Sequence, residues 1–128
     1  MTEDQETDDQ RLARYLEREN LASLMNDTKW REVIDAIQGI ERYVPRFRVK
    51  CVKDAQEPAR DRWDGSFPLH VPTFRHIEWL EFDPMVRTRI PPEDFTERLE
   101  LALAAIGVPV ERVGGAIRLI GYWRPAKP

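Results

Sequence analysis

The chain has 128 residues, of which 41% are hydrophobic and 34% charged, with 23 acids against 20 lysines and arginines. That length suits one domain burying roughly two-thirds of its unfolded surface, and the near-balanced charge gives no vote for nucleic acid or a membrane surface. The single cysteine, Cys51, excludes an intramolecular disulfide and points to a reducing compartment, while no apolar run approaches the length of a membrane span.

Residues 1–10 hold five acids (Glu3, Asp4, Glu6, Asp8, Asp9) and neither a base nor an aromatic. They read as a disordered acidic arm ahead of one domain over 11–128. Without that arm, 18 acids face 20 bases. No basic segment leads into an apolar run at the N-terminus, so a secretory signal is not expected and a cytoplasmic protein is.

From Arg11 to Met25 the apolar positions Leu12, Tyr15, Leu16, Leu21, Leu24 and Met25 predict a loosely amphipathic helix. Asn26-Asp27-Thr28 then supplies capping residues that end one helix and begin another. In this second helix Trp30, Val33, Ile34, Ile37 and Ile40 recur at the i, i+3, i+4, i+7 spacing of a buried stripe. Past Pro45, the alternation of Phe47, Val49 and Cys51 with Arg48 and Lys50 predicts a half-buried strand with a basic outer face.

Asp54 to Thr73 is rich in Pro, Asp, Arg and Gly, and about twenty residues without structure would be unusual in a compact domain. Asp64-Gly65, between Trp63 and Phe67, predicts a small hairpin there. Phe74 to Phe82 is apolar on both faces, as a central strand should be. After the Asp83-Pro84 turn, Met85 to Ile90 predicts a short strand with Arg87 and Arg89 on one side.

A third helix is expected with Pro92 in its first turn, Glu93 and Asp94 complementing its dipole, and Gly107 with Pro109 ending it. Phe95, Leu99, Ala102, Leu103 and Ile106 form its stripe. Gly114-Gly115 breaks the chain before a last strand, Ala116 to Trp123. That strand sets Ile117, Leu119 and Trp123 against Arg118, Ile120 and Tyr122. The order is α-α-β-β-(β)-α-β. It predicts an α+β domain: a mainly antiparallel, three- to four-stranded sheet with helices packed on one face.

Three segments, Met25-Asn26-Asp27-Thr28-Lys29-Trp30-Arg31-Glu32, Ile77-Glu78-Trp79-Leu80-Glu81 and Ile120-Gly121-Tyr122, stand out together with the Gly107-Val108-Pro109 helix end. On these segments the chain, from roughly Leu21 to Arg124, resembles a family of small bacterial proteins catalogued as a domain of unknown function. The resemblance implies a small, bacterial, cytoplasmic protein. It brings no activity, ligand or catalytic residue with it.

The side chains suited to chemistry are few. His76 and Glu78, two apart, would share a strand face and could pair as base and orienter, but a metal site usually needs three protein ligands. Cys51 reads as a small buried hydrophobe. Ser66 lacks the strand-to-helix elbow of a hydrolase serine, and no helix start follows Gly114-Gly115 to bind phosphate. Neither an enzyme, a metal nor a cofactor is expected.

Two binding surfaces compete. Trp63, Phe67, His70 and His76 cluster in and beside the Pro-rich loop, where exposed aromatics on a rigid scaffold would form a protein-binding site. The plain alternative is that Trp63 and Phe67 fold back as a loop plug. Arg46, Arg48, Lys50, Arg87, Arg89 and Arg118 could instead gather on the open sheet face with Arg124 and Tyr122, a platform suited to single-stranded nucleic acid. An ordinary solvated face balanced by acids is the alternative there. The leading expectation is a non-enzymatic protein-interaction domain, immunity- or adaptor-like by analogy; the second is a nucleic-acid-binding module.

Overall fold

The computed structural model describes residues 6–125. In chain order its elements are helix α1 (Asp8–Arg18), strand β1 (Ala22–Ser23), helix α2 (Asp27–Gln38), strands β2 (Arg46–Cys51) and β3 (Ile77–Asp83), the short pair β4 (Met85–Val86) and β5 (Glu93–Asp94), helix α3 (Thr96–Ile106), and strands β6 (Val110–Val113), β7 (Ala116–Ile120) and β8 (Tyr122–Trp123). β2, β3, β7 and β6 lie side by side in that order, every neighbouring pair antiparallel. The fold is therefore α+β, as expected.

Register divides the sheet into two unlike faces. Phe47 stands opposite Phe82 and Val49 opposite Leu80, while Leu119 and Ile117 continue those rows on β7. This face packs against Trp30, Val33 and Ile37 of α2 and Leu99 and Leu103 of α3, all in one buried cluster. Burying each such side chain contributes roughly 1.5–3 kcal/mol. The predicted helical stripes thus meet the apolar half of an alternating sheet, and Trp30 lies in the core, stacked 6.2 Å from Phe74. On the reverse face the row reads Arg48, Glu81, Arg118, Glu111 across the four strands.

Several element boundaries differ from the expected ones. Residues 1–5 of the acidic arm lie outside the described residues, but Asp8, Asp9 and Gln10 form the first turn of α1. Thr7 Oγ1 accepts from the Gln10 N–H at 3.1 Å and Gln10 Oε1 accepts from the Thr7 N–H at 2.9 Å. Acids there complement the helix dipole, so the same residues that read as an arm serve as a cap. α1 stops at Arg18, and Ala22–Ser23 pairs with Trp123 and Tyr122. Leu12, Val52 and Tyr122 make a small second core beneath α1.

α3 begins at Thr96; Pro92 and Glu93 precede it, and Asp94 Oδ1 accepts from the Thr96 N–H at 2.9 Å. Val110–Val113 is a strand that the sequence reading missed, joined to β7 by Gly114-Gly115, both at positive φ. The expected last strand is broken at Gly121. Its N–H donates to the Glu78 carbonyl at 2.7 Å, and a Cβ there would sit 2.2 Å from the Ile77 carbonyl oxygen. The break turns Tyr122 inward and leaves Trp123 exposed, reversing their expected faces.

Candidate functional site

Three carboxylates of β3 organise the reverse face of the sheet, each held by two cations. Glu81 is fully buried; its Oε1 accepts from Arg48 Nε at 2.6 Å and its Oε2 from Arg118 Nε at 2.7 Å. The Arg118 guanidinium lies 4.0 Å over the Trp79 ring and that of Arg48 4.6 Å over Trp63. Arg48 also donates to the carbonyls of Ala59 and Arg60, so the Asp54–Trp63 segment closes over it. Glu78 takes Lys50 Nζ at 2.9 Å and Arg124 at 2.7 Å. Burial alone would raise its pKa, yet these hydrogen bonds hold it below the usual carboxylate range.

Asp83 accepts from Arg46 at 2.6 Å, from Arg87 at 3.2 Å and from the Met85 N–H at 3.0 Å. Its carboxyl is likewise held low despite burial. Beside it, burial and the Asp83 charge push the Tyr43 phenol well up, and Tyr43 Oη donates to the Asp83 carbonyl at 2.6 Å. Among the described residues every buried side-chain polar atom has a hydrogen-bond partner.

This arrangement corrects the expected basic face. Arg46, Arg48, Lys50 and Arg118 do share the polar side of the sheet, but Arg48 and Lys50 are buried and all four are paired with carboxylates. Arg87 reaches the same Asp83, while Arg89 turns to Glu93 at 2.7 Å. Alternation correctly predicts which residues share a face. It cannot see which acids the next strand brings into register.

The loop residues do not converge either. Asp64 bridges Phe47 at the β2 edge in place of a hairpin. Trp63 therefore covers Arg46 and Arg48 on the polar side, while Phe67 wraps to the opposite side. There it meets Phe47 and Phe82 edge-on, at 5.7 and 5.2 Å. The sheet separates the two aromatics, and Phe67 is the loop plug weighed as the alternative.

His70 Nδ1 lies 2.9 Å from Asp64 Oδ2, and Ser66 donates its backbone N–H to the same carboxylate at 2.8 Å. Together with the His70 partner these bonds lower the Asp64 pKa. No hydrogen bond joins the Ser66 hydroxyl to His70 among the described residues, so the trio is a braced turn. His76 sits in the turn Phe74–His76, ahead of β3, and so does not share a strand face with Glu78. Burial, then the charge of Asp54, raises the Cys51 thiol pKa, the opposite of nucleophile activation. Among the described residues no three His, Cys, Asp or Glu are grouped to hold a metal, and no helix is long and apolar enough to cross a membrane.

Two surfaces stand open: the first borders the Pro-rich loop that the sequence offers as a contact surface, and the second, a hairpin tip, it does not offer. A groove of about 400 Å³ runs between the first turn of α2 and Val71–Arg75. A smaller recess beside it reaches Met25, Trp30, Gly121 and Tyr122, where two of the segments that carry the family resemblance meet. The other surface is the hairpin joining β4 to β5. Its tip carries Ile90, 99% exposed, followed by Pro91 and Pro92. Glu93 at its base accepts from Arg42 (3.1 Å), Arg89 (2.7 Å) and Arg98 (3.2 Å), and Arg89 also donates to the Arg42 carbonyl. These contacts brace the tip, and the prolines fix their own φ angles. The signal legible in the sequence was an isoleucine beside two prolines, which carries no periodicity.

A family model described as Family of unknown function (DUF6678) matches residues 12–126. No curated protein matches the chain, and no solved structure does.

Proposed function

The chain belongs to the DUF6678 family, and from that premise we propose that it is a small, non-enzymatic bacterial protein-interaction domain of the cytoplasm, used as an immunity protein or adaptor is used. The observation carrying this reading is Ile90, a large aliphatic side chain almost wholly in solvent at the end of a hairpin held by Glu93 and three arginines. An apolar anchor on a braced loop binds with little ordering of its own, which favours partner recognition. The groups suited to acid–base or nucleophilic chemistry are instead tied into structural pairs, as Glu78, Glu81 and Asp83 are. The contact surface is placed at the hairpin and not at the Pro-rich loop, because Phe67 packs against the core and the sheet separates it from Trp63. A nucleic-acid reading of the sheet face loses its support with the cations of β2 neutralised.

Cross-linking of the tagged chain in its native host, followed by mass spectrometry, tests the reading. One partner is expected to be captured by wild type and lost with Ile90→Asp, while Trp123→Ser leaves capture intact. Equal capture by wild type and Ile90→Asp would remove the hairpin from the function.

A further inference from the structure

The charge around the hairpin tip describes the partner more closely. Five arginines, Arg42, Arg46, Arg87, Arg89 and Arg98, meet there on two carboxylates, Asp83 and Glu93. The Asp83 side chain is 2% exposed, whereas those of Arg42 and Arg87 are each 61% exposed, so Asp83 lies underneath and these two guanidiniums outside. Asp94 is turned to its own helix cap through Thr96, and Glu100, further along α3, is paired with Arg112. Glu41 stands exposed beside Arg42. Five arginines against four carboxylates, Asp83, Glu93, Asp94 and Glu41, leave a single positive charge here, although the whole chain carries −3.

Each guanidinium offers five N–H donors in a planar fork, and a carboxylate already bound below occupies only part of it. The outer edges remain open to a second carboxylate, and arginine beside an apolar anchor is a frequent binding hot spot. Between the arginines stand aliphatic groups: Ile90, the two prolines, and Val44, which is also exposed. The aromatics at this end, Tyr43 and Phe95, are buried, so no ring is presented on which a base could stack.

Resting on the protein-binding reading above, we infer that the hairpin tip docks into an acidic protein surface with an apolar recess, Ile90 filling the recess and Arg42 and Arg87 pairing with carboxylates at its rim. Amide chemical shifts of the full-length ¹⁵N-labelled chain test this. The probe is a synthetic peptide alternating leucine with glutamate and aspartate; its controls are the same peptide with lysine for each acid, and a single-stranded oligothymidine.

The acidic peptide is expected to shift the amides of 42–46 and 85–93, and to bind more weakly as salt is raised. Ile90→Asp, and separately Arg42→Glu with Arg87→Glu, should each weaken it at least about ten-fold, the scale of one lost hot-spot contact. Should charge reversal unfold the hairpin beside Asp83, Arg42→Gln with Arg87→Gln serves in its place. An equal response to the lysine peptide, shifts confined to other residues, or tighter binding of oligothymidine on the same amides would overturn the inference. The two readings fail separately in the host cross-linking assay. Capture lost with Ile90→Asp but whole with Arg42→Gln/Arg87→Gln overturns the acidic partner alone, and capture lost with neither overturns both.

Discussion

On one face of the sheet Phe47, Leu80, Phe82, Ile117 and Leu119 lie beneath α2 and α3; on the other, Glu81 joins Arg48, which lies beneath Trp63, to Arg118, which lies over Trp79. Both faces exclude water around their central residues, by opposite means. The apolar face is held by many small, non-directional contacts, so losses there should scale with the volume removed. On the polar face a few directional pairs must all be present, because a buried charge without its partner is worth far less than no charge at all.

The sharpest test of that contrast is Glu81→Leu, expected to cost about 3–5 kcal/mol by removing the anion that stands between two guanidiniums. The triple variant Arg48→Met/Glu81→Leu/Arg118→Met should recover most of the loss, since an apolar replacement of a whole buried ionic group is often neutral or better. Urea unfolding of both decides it. A triple variant no more stable than the single one would mean that the polar face holds the fold by more than internal pairing.

Trp30→Ala probes the apolar face and should cost roughly 3–5 kcal/mol, with Trp30→Phe recovering a large part because volume governs. Phe67 and Trp63 extend the comparison into the loop. Phe67→Ser, on the apolar side, is expected to lower stability by about 2 kcal/mol, less than a fully buried phenylalanine because it is only partly enclosed. Trp63→Ser should cost about 1 kcal/mol, the scale of a lost cation–π contact. If the order were reversed, Trp63 would be the true plug of the loop.

Acid separates the faces in another way. Glu78 and Asp83 have folded-state pKa values below their ordinary ones, so the stability they contribute is present at neutral pH and is lost as pH falls below about 4 and through the folded values. Thermal midpoints should therefore drop between pH 5 and pH 2, and Glu78→Gln with Asp83→Asn should flatten that slope. An unchanged slope would place the acid-sensitive groups elsewhere. The smallest effect is expected at Ile90→Asp, within about 0.5 kcal/mol of wild type, because its side chain buries nothing in the free chain; a larger loss by urea unfolding would show that the tip is part of the fold.

The stripes of α2 and α3 were readable because each needs only the 3.6-residue period within about a dozen positions. Leu99 and Leu103 are buried as that period requires, and Trp30, Val33 and Ile37 are too. β6 was missed because Val110-Glu111-Arg112-Val113 is an exposed edge strand, with little apolar pattern to find. The hairpin tip was invisible for a related reason: Ile90 is defined by what it does not touch.

What the sequence determined alone was the local periodicity: the buried stripes of α2 and α3, and that Arg48 and Lys50 point one way and Phe47 the other. Only the tertiary structure decided what those faces meet. Arg48 and Glu81 are 33 residues apart and Glu81 and Arg118 are 37 apart, so their pairing depends on strand order and register. A shift of one residue in either pairing would have sent every charge to the opposite face. The same strand that reads as a basic, solvent-facing platform becomes, in register with β3, half of a buried and neutral layer. Exposed arginines and the most exposed large apolar side chain among the described residues, Ile90, come together at the β4–β5 hairpin, and that juxtaposition too is tertiary, since Arg42 and Glu93 are 51 residues apart.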